Sequence, residues 1–166
     1  MGFWQRVGLV CVTATAVTVG GRALRVAMAS DEQQVRWVFE KLQRGFDNTR
    51  LGPVIRGFDE NYMDESSGMT REDLRSTLIY LFLNEKDPET RRFSLRMELD
   101  SDALQVEVAD GTYARVHGSA RFFELRGGVE RVFWDARFLA ELVDSATGWH
   151  IVHTSGVNVA DLEDLD

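Results

Sequence analysis

Residues 112–143 read TYARVHGSARFFELRGGVERVFWDARFLAELV, and the fold turns on how their apolar and polar residues alternate. Ala114, Val116, Gly118, Ala120 and Phe122, then Val132, Trp134, Ala136, Phe138, Ala140 and Leu142, fall on one parity, and none can ionise. Arg115, Arg121, Asp135, Arg137 and Glu141 fall on the other, with Tyr113, His117, Phe123, Phe133, Leu139 and Val143 among them. A period of two over such lengths predicts two long strands with one dry and one wet face. Gly127-Gly128 between them is a hairpin turn signal. Gly118 inside the first strand marks a bulge or bend that lets the sheet curl.

The same period extends outward. Strands are predicted near 92–99 and 103–109, where Phe93, Leu95, Met97, Leu99, Leu104, Val106 and Val108 bring the dry face to eighteen positions. A fifth strand is predicted from Trp149 to about Val157. Asp110-Gly111, Ser101-Asp102 and Thr147-Gly148 close the links, so neighbouring strands are expected to pair antiparallel. Upstream the period is helical. Val35, Val38, Phe39, Leu42 and Phe46 lie on one helix face after a Ser30 cap, and Pro53 opens a short helix carrying Val54, Ile55 and Phe58. Residues 59–68 read as loop. Thr70 with Asp73 starts a third helix carrying Leu74, Leu78, Leu81 and Phe82, which Asn84 to Pro88 ends. Helices first and strands afterwards give an α+β fold, with three N-terminal helices on the dry side of an antiparallel sheet.

At the N-terminus, residues 1–29 hold Arg6, Arg22 and Arg25 without an acid, an uncharged run from Val7 to Val19, and Ala27-Met28-Ala29 before Ser30. This is the layout of a signal peptide cleaved after Ala29, and the run is shorter than the ~20 residues a membrane span needs. A retained N-terminal anchor is the alternative. The reading places the protein outside the cytoplasm, periplasmic or secreted, with a domain over 30–157 and an acidic tail over 158–166. Loss of three arginines and no acids would take the formal charge from −8 to −11. Such a charge repels phosphate backbones and anionic lipid, which argues against nucleic-acid binding and against membrane contact beyond the leader. Cys11 lies in the leader, so no disulfide framework and no Cys-based metal site is available to the rest.

The last strand, Gly148-Trp149-His150-Ile151-Val152-His153, and the stretch Phe58 to Gly68 followed by Met69-Thr70-Arg71-Glu72-Asp73-Leu74 carry a family resemblance. With three helices and long antiparallel strands, residues 31–157 resemble the nuclear transport factor 2-like superfamily, relatives of ketosteroid isomerase and polyketide cyclase. The resemblance implies a cystatin-like cone, with the helices in the concave face of a strongly curved antiparallel sheet. Many members bind small apolar molecules, some self-associate through the sheet and a minority are enzymes. Ketosteroid isomerases of this family use an aspartate base after the second helix, a hydroxyl donor and a neutral acid. Asp64 sits near the first of these positions. The helix from Asp31 to Phe46 has no tyrosine and the eighteen dry positions have no acid, so two of the three groups are missing. Tyr62 is the remaining hydroxyl candidate.

Phe39, Phe58, Tyr62, Phe82, Phe122, Trp134, Phe138 and Trp149 are the candidates to line an apolar pocket between sheet and helices. Small Ala114, Gly118, Ala120, Ala136 and Ala140 on the same face leave room for one. His117, His150 and His153 make no ligand pair at metal spacing, and Asp59, Glu60, Asp64 and Glu65 meet Met63 where a calcium loop needs an oxygen. No metal site is expected, and no dinucleotide, phosphate-loop or nucleophile-elbow motif calls for a cofactor. The sequence thus points to an exported, non-catalytic domain that binds a small apolar molecule, or pairs as a homodimer through the outer sheet face. The alternative is an isomerase, dehydratase or cyclase with Asp64 as general base.

Overall fold

A computed structural model describes residues 29–158. Residues 1–28 and 159–166, which carry most of the leader and acidic tail assigned above, lie outside it. The order of elements is α1 (Asp31–Asp47), α2 (Leu51–Ile55), β1 (Phe58–Asp64), α3 (Arg71–Asn84), β2 (Leu95–Glu98), β3 (Gln105–Ala109), β4 (Tyr113–Arg126), β5 (Val129–Ser145) and β6 (Gly148–Asn158). Ser30 caps α1 by accepting from the Gln33 N–H. Thr70 and Asp73 form the reciprocal capping box of α3. α2 begins two residues before Pro53, which therefore sits in its first turn, where a missing N–H does no harm.

The six strands make one curled, unclosed sheet in the order β1-β6-β5-β4-β2, with β3 also on β4. α1 lies against β2, β3 and β6 and buries Val35, Val38, Phe39, Leu42 and Phe46, the five residues of its helical stripe. Leu142, Ile151, Val35 and Val116 are the largest side chains buried completely. Gly127 and Gly128 carry φ of 57° and 77°, the left-handed pair that a two-residue hairpin turn requires between Arg126 and its partner Val129.

Three local expectations are corrected. Phe58–Asp64, expected to be helix end and loop, forms an edge strand that pairs parallel with β6, so the sheet is mixed. Only Tyr62 is buried in that strand, and its pairing skips from Phe58 to Met63, so no period of two is legible there. The Ser101-Asp102 link does not close a hairpin, because β2 and β3 lie end to end along β4 instead of beside each other. Finally, sixteen of the eighteen dry positions are buried or half-buried, and the exceptions are Val132 and Trp134. For Val132 the cause is a bulge. Phe122 pairs with Trp134 but Phe123 pairs with Val132, so Phe133 is an extra residue in β5. The bulge moves Val132 to the outer face and brings Phe133 round to the ring of Phe122, 6.2 Å between centroids.

Candidate functional site

The two residues proposed for chemistry are brought together, and with them a third that sequence reading missed. Tyr62 on β1 is 6% exposed, and its hydroxyl lies 2.7 Å from Thr154 Oγ1 on β6. Thr154 in turn donates to Asp64 Oδ2 at 2.7 Å. A threonine hydroxyl has one proton, so Tyr62 must be the donor to Thr154, and the chain runs Tyr62 to Thr154 to Asp64. The other carboxylate oxygen, Oδ1, accepts from the Ser67 N–H and Ser67 Oγ, both at 2.8 Å. Partial burial pushes the Asp64 carboxyl up. The hydrogen bonds from Thr154, from the Ser67 hydroxyl and from the backbone N–H groups of Ser67 and Ser66 outweigh it and hold the group below the usual carboxylate range. Burial pushes the Tyr62 phenol up, against the Thr154 hydrogen bond and with the help of the Asp64 charge. The arrangement stabilises a carboxylate that is already ionised. It disfavours proton uptake by Asp64.

The apolar candidates divide into a buried interior and an exposed end. Phe39 is buried and stacks on Phe138 at 5.7 Å, Phe58 meets Tyr62 edge-on at 4.7 Å, and Trp149 is 5% exposed. Phe46, absent from the candidate set, holds the centre of the second group, with Phe82, Phe93 and Phe122 all within 5.9 Å of its ring. From Phe122 the rings continue outward to Trp134 at 5.0 Å and to Phe133. Trp134 is 42% exposed and Phe133 53%. The rings therefore grade from core to water along one line, and Val129, Val132 and Leu125 near the same end of the β4–β5 hairpin are exposed as well.

The remaining polar candidates have structural partners or none. His150 bridges Thr147 Oγ1 and the Arg56 carbonyl oxygen. His153 Nδ1 is buried without a partner. Asp59 accepts from Asn61, and among the described residues no group of three His, Cys, Asp or Glu side chains could hold a metal ion. No helix among them is long and apolar enough to cross a membrane. Asp87, read from sequence only as part of a helix end, is 2% exposed and accepts N–H bonds from Glu89, Thr90 and Gly127. It ties the end of α3 to the turn between β4 and β5. On the outer face, Arg115 pairs with Glu141, Arg121 with Glu98, and Arg96 with Glu130 and Glu98.

Comparison with known proteins decides the architecture. Aln2 from a Streptomyces species superposes with a TM-score of 0.66 over 80% of this chain and 93% of its own, at 12% identity. A nuclear transport factor 2-like protein with a cystatin-like fold from Novosphingobium aromaticivorans gives 0.63 over 82% and 87%, at 13% identity. The chain has the nuclear transport factor 2-like fold. A protein of unknown function from Mycobacterium tuberculosis shares it, with a TM-score of 0.62 over 77% of both chains at 16% identity. Neither a family model nor a curated protein matches the sequence. At these identities the nuclear transport factor 2-like likeness extends to the fold and carries no activity.

Proposed function

We propose that the domain is a non-catalytic binding module, exported by its leader, which takes a small apolar molecule on the exposed aromatic end of the sheet. The observation that carries this reading is the line Phe122, Phe133 and Trp134. Contiguous aromatic surface left in water by a small domain marks a place where something apolar binds. The Asp64 site supports the same reading from the other side. Its carboxylate is occupied on both oxygens and held below the usual range, which suits a structural anchor and ill suits a general base near neutral pH. Self-association through the outer face has weaker support, since the arginines Arg96, Arg115 and Arg121 there already pair with glutamates of the same chain.

The test is titration with N-phenyl-1-naphthylamine, a neutral apolar fluorophore. Saturable binding is expected, weakened about tenfold by Trp134→Ala, as loss of one aromatic contact face implies. Equal binding by the parent, Trp134→Ala and Phe133→Ala would overturn the reading. The export proposal is checked separately, by N-terminal sequencing of protein recovered from an exporting host. Mature protein is expected to begin at Ser30, and a retained Met1 would refute cleavage.

A further inference from the structure

The sheet is interrupted on the outer edge of β4. β3 pairs with β4 as far as His117 and β2 takes over at Arg121, so Gly118, Ser119 and Ala120 have no strand on that side. A depression of about 300 Å³ opens at this gap, with Leu104, Gln105, His117, Ser119, Arg137 and Phe138 in its wall. Its floor is apolar. Leu104 is 3% exposed, and Phe138 is fixed by its stack on Phe39. Gly118 lies opposite Phe138 in the ladder, and a Cβ there would come within 2.7 Å of the Phe138 ring and collide with Leu104. Only glycine lets the strand pass this close to both side chains.

The rim has a different character. Arg96, Arg115, Arg121 and Arg137 are the arginines of the outer face on β2, β4 and β5, and the first three are bound to glutamates. Among the described residues, Arg137 makes no ion pair, and it stands beside His117 at the opening. The one acid in the wall, Asp100, makes no ion pair with it, and its Oδ1 is turned to the N–H groups of Asp102 and Ala103 in its own turn. An apolar floor beneath an uncommitted guanidinium is the arrangement that holds a carboxylate with a flat apolar body, since the guanidinium fork matches the two carboxylate oxygens. The volume is at the small end of ligand pockets and sets the size of the molecule.

We propose that the gap between β2 and β3 is a binding site for a small arylcarboxylate, with the ring on Leu104 and Phe138 and the carboxylate on Arg137. This site shares no residue with the aromatic end around Trp134, so either can fail alone. The experiment is titration of the full chain with benzoate, and with benzamide as its neutral isostere, followed through backbone amide resonances. Saturable shifts are expected at His117, Gly118 and Ser119, and benzamide is expected to bind about tenfold more weakly. Arg137→Gln, at an exposed position, should keep the fold by the same spectra and lose about tenfold in benzoate affinity, whereas Trp134→Ala should leave it unchanged. The proposal is overturned by absence of benzoate binding, by equal binding of benzoate and benzamide, by parental affinity in Arg137→Gln, or by shifts confined to the aromatic end.

Discussion

Where β1 meets β6, Tyr62, Thr154, Asp64 and Ser67 direct their polar hydrogens and lone pairs at one another; beyond Ala136 on β5, Phe133 and Trp134 leave about half of their surface in water. The two regions belong to one sheet and differ in what they leave unsatisfied. A half-buried hydroxyl or carboxylate without a partner costs the fold the full desolvation of that group, so the first region is closed. An aromatic ring partly in water merely forgoes some transfer free energy, which a small domain tolerates, so the second can stay open. Open apolar surface is thus placed where it costs stability least, and the hydroxyl and carboxylate groups of the other region are paired with one another.

The comparison is broken or sharpened first by cavity mutations. Phe46→Ala removes the ring on which Phe82, Phe93 and Phe122 converge and should cost about 3–5 kcal/mol in urea unfolding. Trp134→Ala, at the exposed end of the same line of rings, should cost roughly a third of that. Equal losses would mean that Trp134 is covered in solution, and the aromatic end would no longer count as open.

In the closed region, Thr154→Val should cost about 1–3 kcal/mol, because it leaves both the Tyr62 hydroxyl and one Asp64 oxygen without their partner. Thr154→Ser, which keeps the hydroxyl, should recover most of the loss. Asp64→Asn then gives the sign of the charge effect. The folded-state carboxyl lies below its ordinary value of 3.8, so the ionised form stabilises the native state. That stabilisation is complete above the ordinary value and is lost as the pH falls through the folded one. The stability gap between parent and Asp64→Asn, measured in urea at stepped pH, should therefore be constant near neutrality and narrow below about pH 4. A gap that widened towards acid would mean that Asp64 is protonated in the native state, and the general-base reading would return.

The closed region was also the harder to read in the sequence. Tyr62 and Asp64 stood out as residue types, but their partner Thr154 lies ninety residues away on β6, and β1 itself is masked by Asp59, Glu60 and Asn61 in succession. An edge strand held by irregular parallel pairing has little alternation to show. The open region was legible in type but not in register. Phe122-Phe123 and Val132-Phe133-Trp134 are apolar at every position, so a one-residue bulge leaves no mark on the pattern, yet it decides which rings meet. Elsewhere local chemistry spoke clearly. The helical stripe of α1, the caps at Ser30 and Thr70 and the paired glycines of the β4–β5 turn each act within four residues, and each appears where expected. The gap in the β4 edge was hidden for a related reason, since Ser101-Asp102 has turn chemistry whether the flanking strands pair with each other or line up along a third.

The smallest expected effect lies on the outer face, and it bears on whether that face is free. Arg121 donates to Glu98 across the β2–β4 ladder at 2.6 Å, with the two side chains 50% and 41% exposed, and its guanidinium stands 6.0 Å from the Phe123 ring, over which Arg96 lies at 4.4 Å. In water such a pair contributes about 0.2–1 kcal/mol, and Arg96 already occupies the ring, so Arg121→Ala should fall in that range. The loss should shrink further at 1 M salt, where the screening length is about 3 Å. A loss above about 2 kcal/mol, or one indifferent to salt, would require the pair to be dry, since only desolvation strengthens an ion pair to that degree. The outer face would then be covered by a second molecule, and the protein concentration dependence of unfolding would identify that molecule as another copy of the chain.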